Sequence, residues 1–270
     1  MGYDCISCTT DYGLQDGFVA ACHGVIARIT PTTRVIDITH SVAPQDIRGG
    51  AAVLAQTAPY LPNAVHLAVV DPGVGTARRG IVLLAERGTL VGPDNGLLLP
   101  AARALGGPRA AYQLENAEYQ LPRVSATFHG RDVFAPAAAH LTRGVPAAEF
   151  GRPIELAELV ELPEARVEVE RDGLRSEVRT IDHFGNVQLA APASALAECG
   201  LTPGTRVRIG TGTAAHECSV HHTFGDAVPG ELLVLVDSAG YVALAVHGGS
   251  AADRLAARSV PMFSVTRVAR

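Results

Sequence analysis

The sequence predicts an α/β protein with a separate, small all-β unit at its C-terminal end. Three observations predict it. Strand-like and helix-like segments alternate through the first half of the chain. Loops rich in Asp, Gly and Asn follow the apolar strands. Beyond Gly151, helical periodicity gives way to short apolar runs separated by Gly and Pro.

Residues 5–9 form an apolar strand that stops at Asp11-Tyr12-Gly13. Asp16 opens a helical pattern carried by Phe18, Val19, Cys22, Val25, Ile26 and Ile29, apolar at three- and four-residue spacing. Residues 35–38 read as a strand. Residues 46–60 read as a helix, bracketed by Pro44 and Pro62. Residues 64–70 are an apolar strand halted by Asp71-Pro72-Gly73, and residues 80–85 and 89–91 are two more strands around a turn at Arg87-Gly88. Further helices are expected over 97–105 and 132–141. Residues 152–173, with Pro153, Pro163 and several Glu, read as a linker or edge crossing. Strands follow over 177–181, 206–209, 232–236 and 241–246, in a unit that is a barrel or a sandwich. The expected domains are residues 1–160 and 174–270.

Composition narrows the chemistry. The 270-residue chain has 22 basic side chains, all of them Arg, against 27 acidic ones. Without Lys there is no Schiff base to a pyridoxal cofactor, no P-loop lysine and no lysine general base. A net charge of -5 leaves no electrostatic footprint for nucleic acid or anionic membrane. No apolar run is long enough to span a bilayer. Met1-Gly2-Tyr3-Asp4 lacks the features of a signal peptide, so the cytoplasm is the expected location. Five Cys imply no disulfide framework.

Ligands of open α/β sheets bind beyond the carboxyl ends of the strands. Three polar segments fall there: Thr9-Thr10-Asp11-Tyr12-Gly13, Asp71-Pro72-Gly73-Val74-Gly75-Thr76-Ala77-Arg78-Arg79, and Gly92-Pro93-Asp94-Asn95-Gly96. Each alone reads as an ordinary turn with helix-capping side chains. Together, on one expected edge, they point to a site. Phe128-His129-Gly130-Arg131-Asp132 leads into a helix, with Asp132 placed to complement its dipole and His129 just outside. In the β unit, Asp182-His183-Phe184-Gly185-Asn186 is either a hairpin turn or a ligand loop. In the second case Asp182 would take an ammonium, Phe184 would stack on a ring and Asn186 would read a purine edge.

These five segments, in this order and over nearly the whole chain, resemble the S-adenosyl-L-methionine (SAM) hydroxide adenosyltransferase family, the SAM hydrolases related to fluorinase and chlorinase. The resemblance implies an N-terminal α/β domain, a C-terminal β-barrel, and a homotrimer with active sites at subunit interfaces. It implies hydrolysis of SAM to adenosine and L-methionine with no cofactor and no metal. The family's Asp–Arg–His set falls on Asp71, Arg78 and His129. Arg79 adjoins Arg78, and spacing alone does not choose between them. Asp11 matches the ribose-binding Asp, Asp182 the methionine-ammonium contact and Asn186 an adenine contact. Phe184 and Phe224 match aromatic residues on the adenine side, and Ser238 a serine on the methionine part; Phe128 joins them as an aromatic candidate for the purine. The chain departs from the family at Gln188 to Ala190, where many members carry a Thr-Asn pair. Ala239 replaces an Arg of the halogenases, which leaves the methionine carboxylate without an assigned partner.

The sulfonium of SAM is already a good leaving group, so the chemistry needs only a water held in line with C5′. Positioning of that kind supplies on the order of 7–11 kcal/mol. His129 and Asp71 are expected to orient the water and take its proton, with Arg78 stabilising developing hydroxide. One rival is a SAM-dependent halogenase, whose branch carries Tyr at the positions of Asp71 and His129. The other is a non-catalytic SAM- or nucleoside-binding module, which would have no use for the Asp–Arg–His set. Cys5-Ile-Ser-Cys8 has redox spacing but lies in a strand rather than at a helix start. His216, Cys218, His221 and His222 lack the paired second cluster of a zinc site.

Overall fold

The computed structural model describes residues 2–211 and 214–268. The chain divides into two compact units, Met1–Leu162 and Pro163–Arg270.

The first unit is built on a seven-stranded sheet of β1 (Cys5–Thr10), β2 (Arg34–Thr39), β3 (Ala64–Val69), β4 (Gly80–Ala85), β5 (Gly88–Pro93), β6 (Pro108–Gln113) and β7 (Pro153–Ile154), in the order β2-β1-β3-β5-β4-β6-β7. The first four strands in that order run parallel. From β5 onward each neighbour is antiparallel to the last. β1 and β3 are buried along their whole length, as continuous apolar runs in a two-sided sheet should be. The period of two sorts their side chains between faces. Val65, Leu67 and Val69 pack with α1 (Phe18–Ile29) and the Ala-rich α4 (Ala135–Thr142). Ala68 and Val70 pack on the other side with α2 (Ile47–Thr57) and the residues around α3 (Leu99–Ala104).

Several helix boundaries differ from the sequence reading, each for a local reason. Asp16 does not open α1, which begins at Phe18 without a side-chain cap. Asp46 caps α2 as its Oδ1 accepts from the Gly49 N–H at 2.8 Å, and the last turn, 58–60, tightens to 3-10 geometry at Pro59. The expected helix over 97–105 starts only at Leu99, because Asn95 Oδ1 takes the Leu97 N–H at 3.2 Å and holds a turn there. Asp132 is the acidic residue of the first helical turn, as the sequence reading has it. It lies inside a π-helical turn, Gly130–Phe134, that runs directly into α4.

The second unit is the barrel implied by the family resemblance. Its strands are β8 (Val167–Glu170), β9 (Gly173–Ile181), β10 (Val187–Pro192), β11 (Arg206–Gly210), β12 (Ala215–Val220), β13 (Leu232–Val236), β14 (Tyr241–Val246) and β15 (Met262–Arg267). β9 pairs with both β10 and β15, closing the ring β9-β10-β14-β13-β12-β11-β15 and leaving β8 outside on β9. Closure removes the free edges that an open sheet would expose. Leu189, Val207, Val234, Leu244 and Phe263 fill the interior. Two short helices, α5 (Ala193–Glu198) and α6 (Ala251–Arg254), add Leu196 and Ala252 to the same core. They escaped the sequence reading because they are too short to show a helical period. The stretch read as a linker supplies β7 to the first unit and β8 to the second. Among the described residues no helix is long and apolar enough to cross a membrane.

Gly92 shows how tightly the parallel strands approach: a Cβ there would lie 2.1 Å from the Ala68 carbonyl oxygen of β3. Gly92→Ala is expected to cost about 1–3 kcal/mol, read as a lower urea midpoint for the first unit. An unchanged midpoint would show that β5 can slide away from β3.

Candidate active site

β1, β3 and β5 are parallel neighbours, so Asp11, Asp71 and Asp94 follow strands that end on the same edge of the sheet. Asp71 comes directly after the buried Val70. The chain then folds back through two turns, with Val74 N–H donating to Asp71 O at 3.2 Å and Thr76 N–H to Gly73 O at 3.2 Å. Gly75 holds a φ of +77°, and a Cβ there would meet the Ala126 carbonyl oxygen at 2.2 Å, so only glycine fits. The return brings Arg78 onto Asp71.

The resulting pair is bidentate and nearly buried. Arg78 Nε donates to Asp71 Oδ1 at 3.0 Å and Nη2 to Oδ2 at 2.5 Å. The two side chains are 9% and 5% exposed. The guanidinium lies over the Phe134 ring at 5.2 Å. Nη2 is also 3.1 Å from His129 Nδ1. Guanidinium has donors and no acceptor, so Nδ1 must be the accepting nitrogen. His129 is therefore held neutral, with its proton on Nε2. Its pKa is lowered accordingly: burial lowers it most, the Arg78 charge lowers it further, and Asp71 and Asp132 oppose them.

The π-helical turn places His129 at its start and is anchored from within. Asp132 is fully buried and accepts from Arg131 Nε at 2.6 Å and from the Ser125 N–H at 2.8 Å. Burial pushes its pKa up, but those donors and the Arg131 charge outweigh burial and leave it below the usual value. Gly130 lets the turn close on Tyr12, whose hydroxyl would sit 1.9 Å from a Cβ at that position. Tyr12 packs on Phe128 at 5.6 Å, and Phe18 on Phe128 at 5.1 Å. Burial raises the Tyr12 phenol strongly, with smaller contributions from the charges of Asp11 and Asp71. Tyr12 was inside a segment that the sequence singled out, but nothing in the sequence gave it this place beside the turn. Asp11 itself accepts from the Gln45 N–H at 2.9 Å through one oxygen.

Arg79 has a different task from Arg78. It donates to the buried Asp94 through Nε at 2.9 Å and Nη2 at 2.6 Å, and to the Glu158 carbonyl at 2.6 Å. Asp94 also accepts from the Val160 N–H at 2.9 Å. Asp94 and Arg79 thus fasten the end of β5 to the segment before the second unit.

In the second unit, Asp182, Phe184 and Asn186 share the β9–β10 hairpin. Asp182 Oδ1 accepts from the N–H groups of Phe184 and Asn186 at 2.9 and 2.8 Å, and Oδ2 from the Asn186 amide at 2.7 Å. The turn reading is realised, yet Phe184 stands out from it 75% exposed. Phe224, in the crossing between β12 and β13, is 45% exposed. Ser238 is exposed in the β13–β14 turn, beside Asp237, which accepts the Gln188 amide at 2.5 Å. Arg179 was not foreseen. Its guanidinium lies 4.4 Å over the Tyr241 ring, and its buried Nε has no hydrogen-bond partner.

The chain matches known proteins over both units. The family models for the SAM hydroxide adenosyltransferase N-terminal and C-terminal domains match residues 6–151 and 176–261. The chain is 63% identical to an (R)-S-adenosyl-L-methionine hydrolase of Salinispora tropica over 93% of both chains. It is 43% identical to one of Thermus thermophilus over 91% of this chain and 93% of the relative. A fluorinase of Actinopolyspora mzabensis is 29% identical over 92% of both. The crystal structure of an uncharacterized conserved protein from Thermotoga maritima superposes with a TM-score of 0.89 at 36% identity, covering 96% of this chain and 99% of that one.

Removing the Arg79 charge would strand a buried carboxylate. Arg79→Met is expected to destabilise the first unit by about 3 kcal/mol in urea titration; wild-type stability would mean that Asp94 holds its place without it.

Proposed function

The chain belongs to the SAM hydroxide adenosyltransferase family, and from that premise we propose that it hydrolyses SAM to adenosine and L-methionine at Asp71, Arg78 and His129. The observation that carries the reading is the contact of Arg78 with both Asp71 and His129.

The hydrogen bonds divide the labour. His129 Nδ1 is already an acceptor, so its free group is the Nε2–H, a donor suited to holding the oxygen of a water. Asp71 has both oxygens on Arg78 but keeps spare lone pairs, and it serves as the proton acceptor. Arg78 supplies fixed positive charge beside the developing hydroxide. The water oxygen bonds to C5′ as the C5′–S bond breaks. The electron pair leaves with sulfur as the neutral thioether of methionine, and the water proton passes through Asp71 to solvent. The sulfonium carries its own activation, so the scheme needs no cofactor and no metal. A halide would meet the Asp71 carboxylate at the same place and be repelled, which favours water over halogenation.

On the second unit, Asp182 is the partner for the methionine ammonium, with Phe184, Asn186 and Phe224 on the adenine side and Ser238 on the methionine side. Asp11 takes the ribose, and Phe128 lies on the purine side. Arg179, whose buried Nε has no hydrogen-bond partner, is the candidate for the methionine carboxylate. The assembly is a homotrimer that brings the two sets of residues together from adjacent subunits.

Incubation with SAM should yield adenosine and methionine, and added chloride should yield no 5′-chloro-5′-deoxyadenosine. Asp71→Asn is expected to lower turnover by about 10²–10⁴-fold. His129→Gln, which keeps a donor near the Nε2 position, should retain more activity than His129→Ala; equal loss in both would assign His129 to proton transfer instead. A wild-type rate in Asp71→Asn and His129→Ala alike would sink the scheme, and sedimentation as a monomer would sink the trimer.

The pH dependence has a definite sign. The His129 pKa lies below the ordinary 6.5, so the working neutral form prevails at pH 7. kcat/KM should stay level there and fall only as pH drops through that lowered value, where protonation of Nδ1 opposes Arg78. In Arg78→Gln the imidazole pKa should rise, as read by proton NMR; a value that stays put or falls would break the proposed coupling.

A further inference from the structure

Away from the residues assigned to the reaction, four side chains with metal-ligand atoms converge at the β1–β2 edge of the first sheet. Cys8 comes from β1, His23 from α1, Asp37 from β2 and His40 from the residue just after it. One ligand atom each from Cys8, His23 and Asp37 lie within 4.8 Å of one another. His40 adjoins the group through Asp37: its Nε2 is 3.0 Å from Asp37 Oδ1, the same oxygen that lies 3.0 Å from His23 Nε2. The His40 side chain is only 5% exposed, and its Nε2 is buried without a hydrogen bond. Its Nδ1 is fixed from behind by Thr10 Oγ1 at 2.8 Å. A buried ring nitrogen beside a carboxylate but without a hydrogen bond to it, on a ring locked by a hydroxyl, has an unmet need for a partner.

We propose that Cys8, His23, Asp37 and His40 form a tetrahedral site for a divalent transition metal, with zinc the best fit. The donor set is one sulfur, two imidazole nitrogens and one carboxylate oxygen, a borderline-soft group suited to zinc and unlike the all-oxygen shells of magnesium or calcium. Thiolate and carboxylate together neutralise the ion. Bonds of about 2.3 Å to sulfur and 2.0 Å to nitrogen require the ligand atoms to draw in from their present separations. That is a small movement for His23 and Asp37, which are 33% and 43% exposed and leave the site open for entry. Burial raises the Cys8 thiol strongly, so the metal-free protein holds Cys8 protonated; binding forms the metal–sulfur bond and releases that proton to solvent. With four protein ligands the site is closed to substrate, and its role is to tie β1, β2 and α1 together. No sequence spacing announced it, since the four ligands come from three elements. The cysteine nearest to Cys8 in sequence, Cys5, points to the opposite face of the strand.

The test uses untagged full-length protein, stripped with chelator and supplied with Co²⁺ or Zn²⁺, without SAM. One equivalent should survive gel filtration. The cobalt form should show an intense tetrahedral visible spectrum and a thiolate-to-cobalt charge-transfer band in the near ultraviolet. Cys8→Ser should remove that band. Because Cys8 is buried and its replacement risks misfolding, Asp37→Asn, at a half-exposed position, carries the same test and should bind cobalt at least about tenfold more weakly. Failure to retain metal overturns the site, as does a cobalt spectrum and affinity unchanged in Asp37→Asn.

Discussion

The bidentate pair between Arg78 and Asp71 is the interaction on which the candidate site depends. A carboxylate this buried needs a partner, and an isolated charge in its place would cost several kcal/mol. The guanidinium answers with two parallel hydrogen bonds and spends the far side of the same Nη2 on His129. One planar group thereby fixes the orientation of a carboxylate and the tautomer of an imidazole. A lysine ammonium, a point charge on a flexible stem, could not hold both geometries at once. The absence of Lys from this chain is thus matched by a site in which the cation must be directional rather than merely positive.

The scaffold supplies the precision. Parallel β1, β3 and β5 send their following loops to one edge, and close contacts at Gly75, Gly92 and Gly130 leave the backbone there little room to shift. The π-helical turn matters for a similar reason. Its buried Asp132 holds Arg131 and the Ser125 backbone, so the turn that presents His129 is braced by a charge pair rather than by apolar packing alone. The barrel works differently. Its hairpin loops satisfy themselves: Asp182 and Asp237 cap their own turns, and Phe184, Phe224 and Ser238 are left on the outside.

Much of this was legible beforehand because the signals were local. Alternating strand and helix periods, the polar segments after strands, and the hairpin chemistry of Asp182 to Asn186 are short-range properties. What the sequence left open was decided by contacts between side chains rather than by periodicity. Asp132 was legible as a charge in the first helical turn, but its burial against Arg131 and the Ser125 backbone was not. Arg78 and Arg79 could not be told apart by spacing; they separate in space because one faces Asp71 and the other Asp94. The short helices α5 and α6 have no period to detect and exist because the barrel core accepts Leu196 and Ala252.

By itself the sequence determined the fold class, the family and the identities of the groups available for catalysis, since these rest on residue type, order and periodicity. Tertiary structure alone decided which arginine meets Asp71, that His129 is neutral with its proton on Nε2, and that Cys8, His23, Asp37 and His40 share one place. The physical reason is the same in all three cases. Hydrogen bonding and coordination depend on directions, and on distances held to a few tenths of an ångström, between groups that the fold brings together, and only the packed sheet, with its helices and turns, sets those.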